Sequence, residues 1–179
     1  LLDAIDYEIF YPWFEDLMTQ VSLCLEKGEA IAIDGKTIRN STNRPLHLVN
    51  AWCTSNRLVL GFKKVPDKSN EIKAIPLLLQ TLDVKGRVIT IDAVGAQRDI
   101  CQQIIDQEGD YCISLKQNQK SLFEDVIAYF QDKDEDELAC FEHYDKGHGR
   151  LEKRRCRLFT DMSWLQQHHA WPGLATVIE

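Results

Sequence analysis

The chain has 179 residues and a formal charge of −7, with 44% hydrophobic and 27% charged residues. That length fits one domain with a proper core, and the composition is that of an ordinary soluble globular protein. No apolar run approaches the roughly 20 residues of a membrane span, the opening "LLDAIDYEIFYPWFEDL" has acids where a secretory signal carries positive charge, and the negative balance argues mildly against a dedicated nucleic-acid-binding domain.

The predicted elements alternate between helix and strand. Phe14, Leu17, Met18, Val21 and Leu25 fall at near-helical spacing over 5–27, with Pro12 near the start and Gly28 after the end. Residues 1–28 are therefore read as a helical lead-in. An apolar strand over 30–34 ends in Asp34, followed by Gly35, where the chain can turn or lie close to a ligand. Gly35-Lys36-Thr37 has the look of a phosphate-binding loop's end, but that loop needs a glycine five residues earlier. The position is Ala30, and a branched apolar run follows it, so the loop is excluded. "LHLVNAWC" (46–53) and "LVLGFKKV" (58–65) are strands, and "TSNR" between them makes a hairpin. Ser69 or Asn70 caps a helix over "SNEIKAIPLLLQTL", with Glu71 in its first turn; Pro76 inside it predicts a kink or a delayed start. "RVITID" (87–92) is a second apolar strand ending in an aspartate. "AQRDICQQIIDQEG" is a helix closed by Gly109, "DYCISLK" a further strand and "QKSLFEDVIAYFQD" a further helix. "DKDEDE" (132–137) reads as a solvated acidic loop rather than a metal site.

Six cysteines (Cys24, Cys53, Cys101, Cys112, Cys140, Cys156) contain no Cys-x-x-Cys pair, so neither zinc nor a disulfide framework is indicated. Reduced thiols in a cytoplasm are the simplest account. The start at Leu1 and the end in the apolar run "GLATVIE" look cut, since domain boundaries are more often polar or rich in Pro and Gly. A fragment of a longer protein is expected.

A lone Asp-Gly reads best as a turn. Asp92, 58 residues after Asp34 and in the same setting, changes that reading. Three strands, a helix and another strand open an RNase H-like sheet, in which the first and fourth strands lie side by side. Two carboxylates placed there could share divalent cations, the hard oxygen ligation that two-metal phosphoryl chemistry needs.

"AIDGKTIR", "DKSNEIKAIPLLLQTLDVKG", "ITIDAVGAQ", "DYCISLKQNQ", "HGRLEKR" and "WPGL", in this order, resemble DDE-type insertion-sequence transposases, specifically the branch of the H-repeat-associated proteins. The resemblance runs from about residue 14 to the end of the chain. It implies an α/β fold: an RNase H-like mixed sheet flanked by helices over 29–179, incomplete at the C-terminus, with the start of an inserted β region nearby. It implies that Asp34 and Asp92 are the first two members of the catalytic triad and metal ligands. Two Mg2+ or Mn2+ ions in the complete enzyme would cut and join double-stranded DNA at transposon ends. A homodimer of the complete protein fits this picture, a membrane does not, and a cytoplasmic location is expected.

The third acid is less direct. Glu152 in "GHGRLEKRR" is a candidate, but the resemblance places the catalytic glutamate in a later helix, in a motif similar to His-Trp-x-x-Glu-Asn. No such motif occurs before Glu179. The expectation is that the third ligand lies beyond the chain's end and that the chain is a truncated, inactive copy. Glu152 would then pair with Arg150 or Arg154, or order a DNA-facing strand.

Arg150, Lys153, Arg154, Arg155 and Arg157 form the densest basic run, and phosphate contact needs only a local patch. DNA contact and a solvated strand face are equally good readings of it. Lys36 and Arg39 either touch a phosphate near the metals or offset local carboxylates. Gln97, Lys116, Asn118 and Gln119 divide evenly between active-site or DNA contact and ordinary surface. His143, His148, His168 and His169 show no ligand spacing with a carboxylate partner and are read as structural or surface. Two other classes remain: a non-catalytic transposase remnant, and a haloacid-dehalogenase-like phosphotransferase. The latter wants an acid two residues after its nucleophile, where this chain has Lys36.

Overall fold

The computed structural model describes residues 6–22, 25–38, 46–66, 71–133, 138–147 and 149–179. The readings made for Arg39, His148, the Ser69 or Asn70 cap and residues 134–137 of the acidic loop lie outside these. The chain divides into two compact units, Leu1–Asn118 and Gln119–Glu179.

Period-two burial builds the sheet of the first unit. In β1 (Ala30–Ile38) Ile31 and Ile33 are buried, in β2 (Leu46–Cys53) Val49, Ala51 and Cys53, and in β4 (Val88–Ile91) Ile89 and Ile91. With β3 (Leu58–Val65) and β5 (Asp110–Ile113) the order is β3-β2-β1-β4-β5. The first three strands are antiparallel, and β1, β4 and β5 run parallel. Parallel pairs need crossovers. These are α2 (Glu71–Leu79) between β3 and β4 and α3 (Arg98–Asp106) between β4 and β5. Ala74, Ile75, Leu78 and Leu79 of α2, with Ile100 and Ile104 of α3, complete one apolar core with the buried strand residues. This is a mixed five-stranded sheet flanked by helices, the RNase H-like arrangement expected, and "TSNR" (54–57) turns the β2–β3 hairpin as expected.

Several boundaries differ from the sequence reading, three of them with a clear cause. β1 does not end at Asp34: it pairs with β2 through Ile38, from Asp34 opposite Asn50 to Ile38 opposite Leu46. The long β2 supplies ladder partners beyond Gly35, so no turn forms there. Helix α1 (Tyr7–Ser22) stops short of Leu25, which enters the core outside the helix. Pro76 does not delay α2, which starts at Glu71 and runs through it, forgoing the bond to the Ile72 carbonyl. Late carbonyls of α2 are met from α3: Gln103 Nε2 donates to Pro76 O (3.0 Å) and Gln107 Nε2 to Leu79 O (3.2 Å).

Helix α3 ends in a Schellman motif, with Glu108 N–H to Ile105 O and Gly109 N–H to Ile104 O. The left-handed residue is Glu108 (φ 60), not Gly109 as expected. Gly109 is glycine for space: a Cβ there would stand 2.8 Å from the Val84 carbonyl oxygen. Arg87, just before β4, is buried and ties the segment after α1 to the 83–85 turn. Its guanidinium donates to Ser22 O, Leu25 O and Asp83 O and pairs with the Asp83 carboxylate at 2.8 Å.

In the second unit, α4 (Lys120–Asp132) and α5 (Ser163–His169) pack beside a three-stranded sheet in the order β6 (Ala139–Gly147), β7 (Arg150–Phe159), β8 (Val177–Ile178). Tyr129 meets Phe159 edge-on at 4.3 Å and stacks on Trp164 at 5.9 Å. Buried His169 contacts the Asp125 carboxylate through Nε2 at 2.7 Å. His169 is thus a structural histidine, one of the two roles the sequence reading allowed, and its partner is a carboxylate. The partner lies 44 residues away on another helix, where spacing cannot reveal it.

Candidate active site

The parallel register of β1 and β4 brings the two strand aspartates together. Ile31 stands opposite Ile89 and Ile33 opposite Ile91, and one step further along each chain come Asp34 and Asp92. Side chains alternate across a sheet. Because the four isoleucines face the core shared with α2 and α3, Ala32, Asp34, Thr90 and Asp92 belong to the opposite face. Neighbouring strands are about 4.8 Å apart. Both aspartates are exposed, and neither forms an ion pair among the described residues.

The two are held differently. Asp34 lies within the ladder, and its carbonyl accepts from Asn50 Nδ2 at 3.2 Å. Asp92 sits just past β4 with extended backbone, and its Oδ1 accepts the Val94 N–H at 2.9 Å, opening a 3-10 turn over Ala93–Gly95. Asn118 secures that turn by donating Nδ2 to the Ala93 carbonyl at 2.5 Å. This gives Asn118 an intramolecular bond that its position after β5 did not announce. Gly35 is the close approach its sequence suggested, but the neighbour is internal. A Cβ there would collide with the carboxylate of Glu71, which lies against the glycine from the α2 side.

Lys36 is exposed on the Asp34 face, two residues further along β1, and Lys116 is exposed after β5. Gln97 occupies the N-cap position of α3 without a side-chain capping bond. Glu152 lies in the second unit, on β7 opposite Asp145, and its carboxylate holds Arg154 at 3.0 Å. Three other cations of that run are also matched. Lys153 binds Glu142 at 2.8 Å, Arg155 approaches Glu142 at 3.8 Å and Cys140 Sγ at 3.2 Å, and Arg157 pairs with Glu179. Hydrogen bonds from Lys153 and then Tyr144 hold the Glu142 carboxyl below its ordinary range, and Glu142 raises Lys153 in return. Arg150 has no carboxylate partner among the described residues. Among the described residues no group of three or more His, Cys, Asp and Glu side chains converges on a point where a metal could sit. No helix among them is long and apolar enough to cross a membrane.

The mixed five-stranded sheet flanked by helices is an RNase H-like α/β fold. Residues 26–169 match the family model described as "Transposase DDE domain". The chain belongs to the DDE transposase family, in its H repeat-associated branch. It is 38% identical over 156 residues to the Escherichia coli (strain K12) "H repeat-associated putative transposase YhhI", a match covering 83% of this chain and 40% of that protein. It is 38% identical over 158 residues to "H repeat-associated putative transposase YbfD" of the same organism, covering 83% of this chain and 59% of that one. An "Uncharacterized protein in dhlA 3'region" of Xanthobacter autotrophicus is 38% identical over 99% of this chain and 62% of its own length. The chain thus spans about two-fifths to three-fifths of these relatives.

Proposed function

We propose that Asp34 and Asp92 are ligands for divalent cations, Mg2+ or Mn2+, in a site for DNA strand cleavage and transfer at insertion-sequence ends. The observation that supports this reading is the parallel β1–β4 register, which pairs Ile33 with Ile91, the residues immediately before Asp34 and Asp92. Two exposed carboxylates without cationic partners among the described residues are the hard oxygen donors such ions take. A bound pair of ions would activate the attacking oxygen and neutralise the leaving one.

The chain's own groups orient the ligands. Val94 N–H fixes Asp92 Oδ1, Asn118 fixes the turn that carries Val94, and the β2 ladder fixes the backbone of Asp34. Lys36, Arg39, Lys116 and Arg150 are assigned to DNA phosphates. Lys153, Arg154 and Arg155 join them only by exchanging their present carboxylate partners, and Asn118 reaches DNA only beside its bond to Ala93.

Among the described residues no third His, Cys, Asp or Glu joins these two carboxylates, and Mg2+ keeps its waters unless several ligands converge. The chain is therefore expected to bind Mn2+ weakly, at about millimolar concentration, and Asp34→Asn is expected to abolish the binding. Electron paramagnetic resonance titration of free Mn2+ measures both. Tight binding insensitive to Asp34→Asn places the metal elsewhere and ends this reading.

A further inference from the structure

We infer that Lys36 and Lys64 form a two-lysine row that takes a DNA backbone phosphate path beside Asp34. The inference rests on the reading of the chain as a DNA-acting transposase and adds a residue that the sequence left within an ordinary strand end.

Register places the row. Lys36 on β1 stands opposite Leu48 on β2, and Leu48 stands opposite Lys64 on β3. The preceding row is Asp34, Asn50 and Phe62. Side chains two apart share a face, so Lys36 lies on the Asp34 face, about 7 Å along the strand. Two strand spacings separate the lysines by roughly 10 Å, with half-buried Leu48 between them. A phosphate backbone crossing the strands at Leu48 meets both ammonium groups while keeping one row away from Asp34.

Charge accounting separates these lysines from their neighbours. Lys63, next in sequence, is turned to α1, where it binds Glu15 at 3.1 Å and lies over the Tyr11 ring at 4.8 Å. Burial works to lower its pKa, yet hydrogen bonds to Tyr11 and Glu15 prevail and raise it. Lys153, Arg154, Arg155 and Arg157 are each matched by Glu142, Glu152 or Glu179. Lys36 and Lys64 are exposed and have no carboxylate or hydrogen-bond partner among the described residues. An unmatched ammonium binds phosphate without breaking an existing pair, whereas a matched one must first give its partner up. In a chain of net charge −7, long-range attraction does not favour DNA, so contact depends on such local, uncompensated cations.

The test is fluorescence anisotropy of the 179-residue chain with a labelled duplex of about 30 base pairs, long enough for several phosphate contacts, titrated at several salt concentrations. Each phosphate contact contributes about 0.9 to the slope of log affinity against log salt. Lys36→Gln and Lys64→Gln are each expected to weaken binding and lower the slope by about 0.9, and the double variant by about 1.8. Lys64→Arg is expected to retain the wild-type slope. The Lys153→Gln/Arg155→Gln pair is expected to change it less than the double lysine variant. Circular dichroism confirms the fold, since both lysines lie outside the core. Wild-type binding that persists with unchanged slope in the double variant overturns the row alone. A wild-type chain that fails to bind the duplex at low salt overturns the row together with the DNA reading.

Discussion

Gly35 and Gly109 are both glycines for want of room, yet they differ in what stands against them. At Gly109 the obstacle is backbone, the Val84 carbonyl oxygen 2.8 Å from an added Cβ, with Ile104 Cγ2 at 3.2 Å. At Gly35 it is the end of the Glu71 side chain, which can rotate away. Gly109→Ala is therefore expected to destabilise the fold by about 1–3 kcal/mol, the cost of overpacking a close-packed site. Gly35→Ala should cost clearly less and act mainly by displacing Glu71. Urea denaturation midpoints of the two variants decide the matter; equal losses would show that Glu71 is as fixed as backbone. The resemblance to a ligand-approach glycine was legible at Gly35, but its partner was not, because α2 brings Glu71 there from 36 residues away.

At the scale of elements, helix ends and hairpins carry much of the electrostatics. Helix α5 has seven residues, too short to stand on propensity. Asp161 supports its first turn by accepting from the Ser163 hydroxyl (2.6 Å) and the Ser163 N–H (3.1 Å), and these bonds hold its carboxyl below the ordinary range. A depressed carboxyl stabilises the fold above its unfolded value, about 3.9, and loses that contribution as pH falls through the lower folded value. Asp161→Ala is therefore expected to melt below the wild type near neutral pH, with the gap closing below about pH 4. Thermal melts across that range measure it, and a gap independent of pH would assign Asp161 a role other than its charge. On β6–β7, Glu142 and Glu152 offset Lys153, Arg154 and Arg155 of the basic run. The charge density and the Glu152–Arg154 pair were legible in the sequence; the partnership of Lys153 and Arg155 with Glu142 was not, because it is cross-strand and the register defines it.

For the molecule as a whole, the proposed cleavage would turn on how many ligands hold the metal ions. The described residues place Asp34 and Asp92 together and no third acid with them, while Glu152 is engaged by Arg154. A missing ligand leaves one ion poorly held and costs several kcal/mol of transition-state stabilisation. At about 1.4 kcal/mol per decade, that is a thousandfold or more in rate. The 179-residue chain is therefore expected not to nick supercoiled plasmid with Mn2+ above the level of its Asp92→Ala variant. Robust nicking, lost in both Asp92→Ala and Glu152→Gln, would make Glu152 the third ligand.

What the sequence determined by itself was local and periodic. Alternating Ile31, Ile33, Ile89 and Ile91 marked two core strands, each followed by an aspartate; "TSNR" marked a hairpin; the α/β order marked the sheet. These follow from repeats of two and 3.6 residues that the chain carries without needing a partner. Tertiary structure decided the rest: β1 running past Gly35 because β2 could pair with it, Arg87 buried beneath the carbonyls of Ser22 and Leu25, His169 meeting Asp125, and Lys36 and Lys64 without a carboxylate among the described residues while Lys63 found Glu15. Each depends on groups far apart in sequence, and whether a charge is neutralised is set by what the fold places within about 4 Å of it.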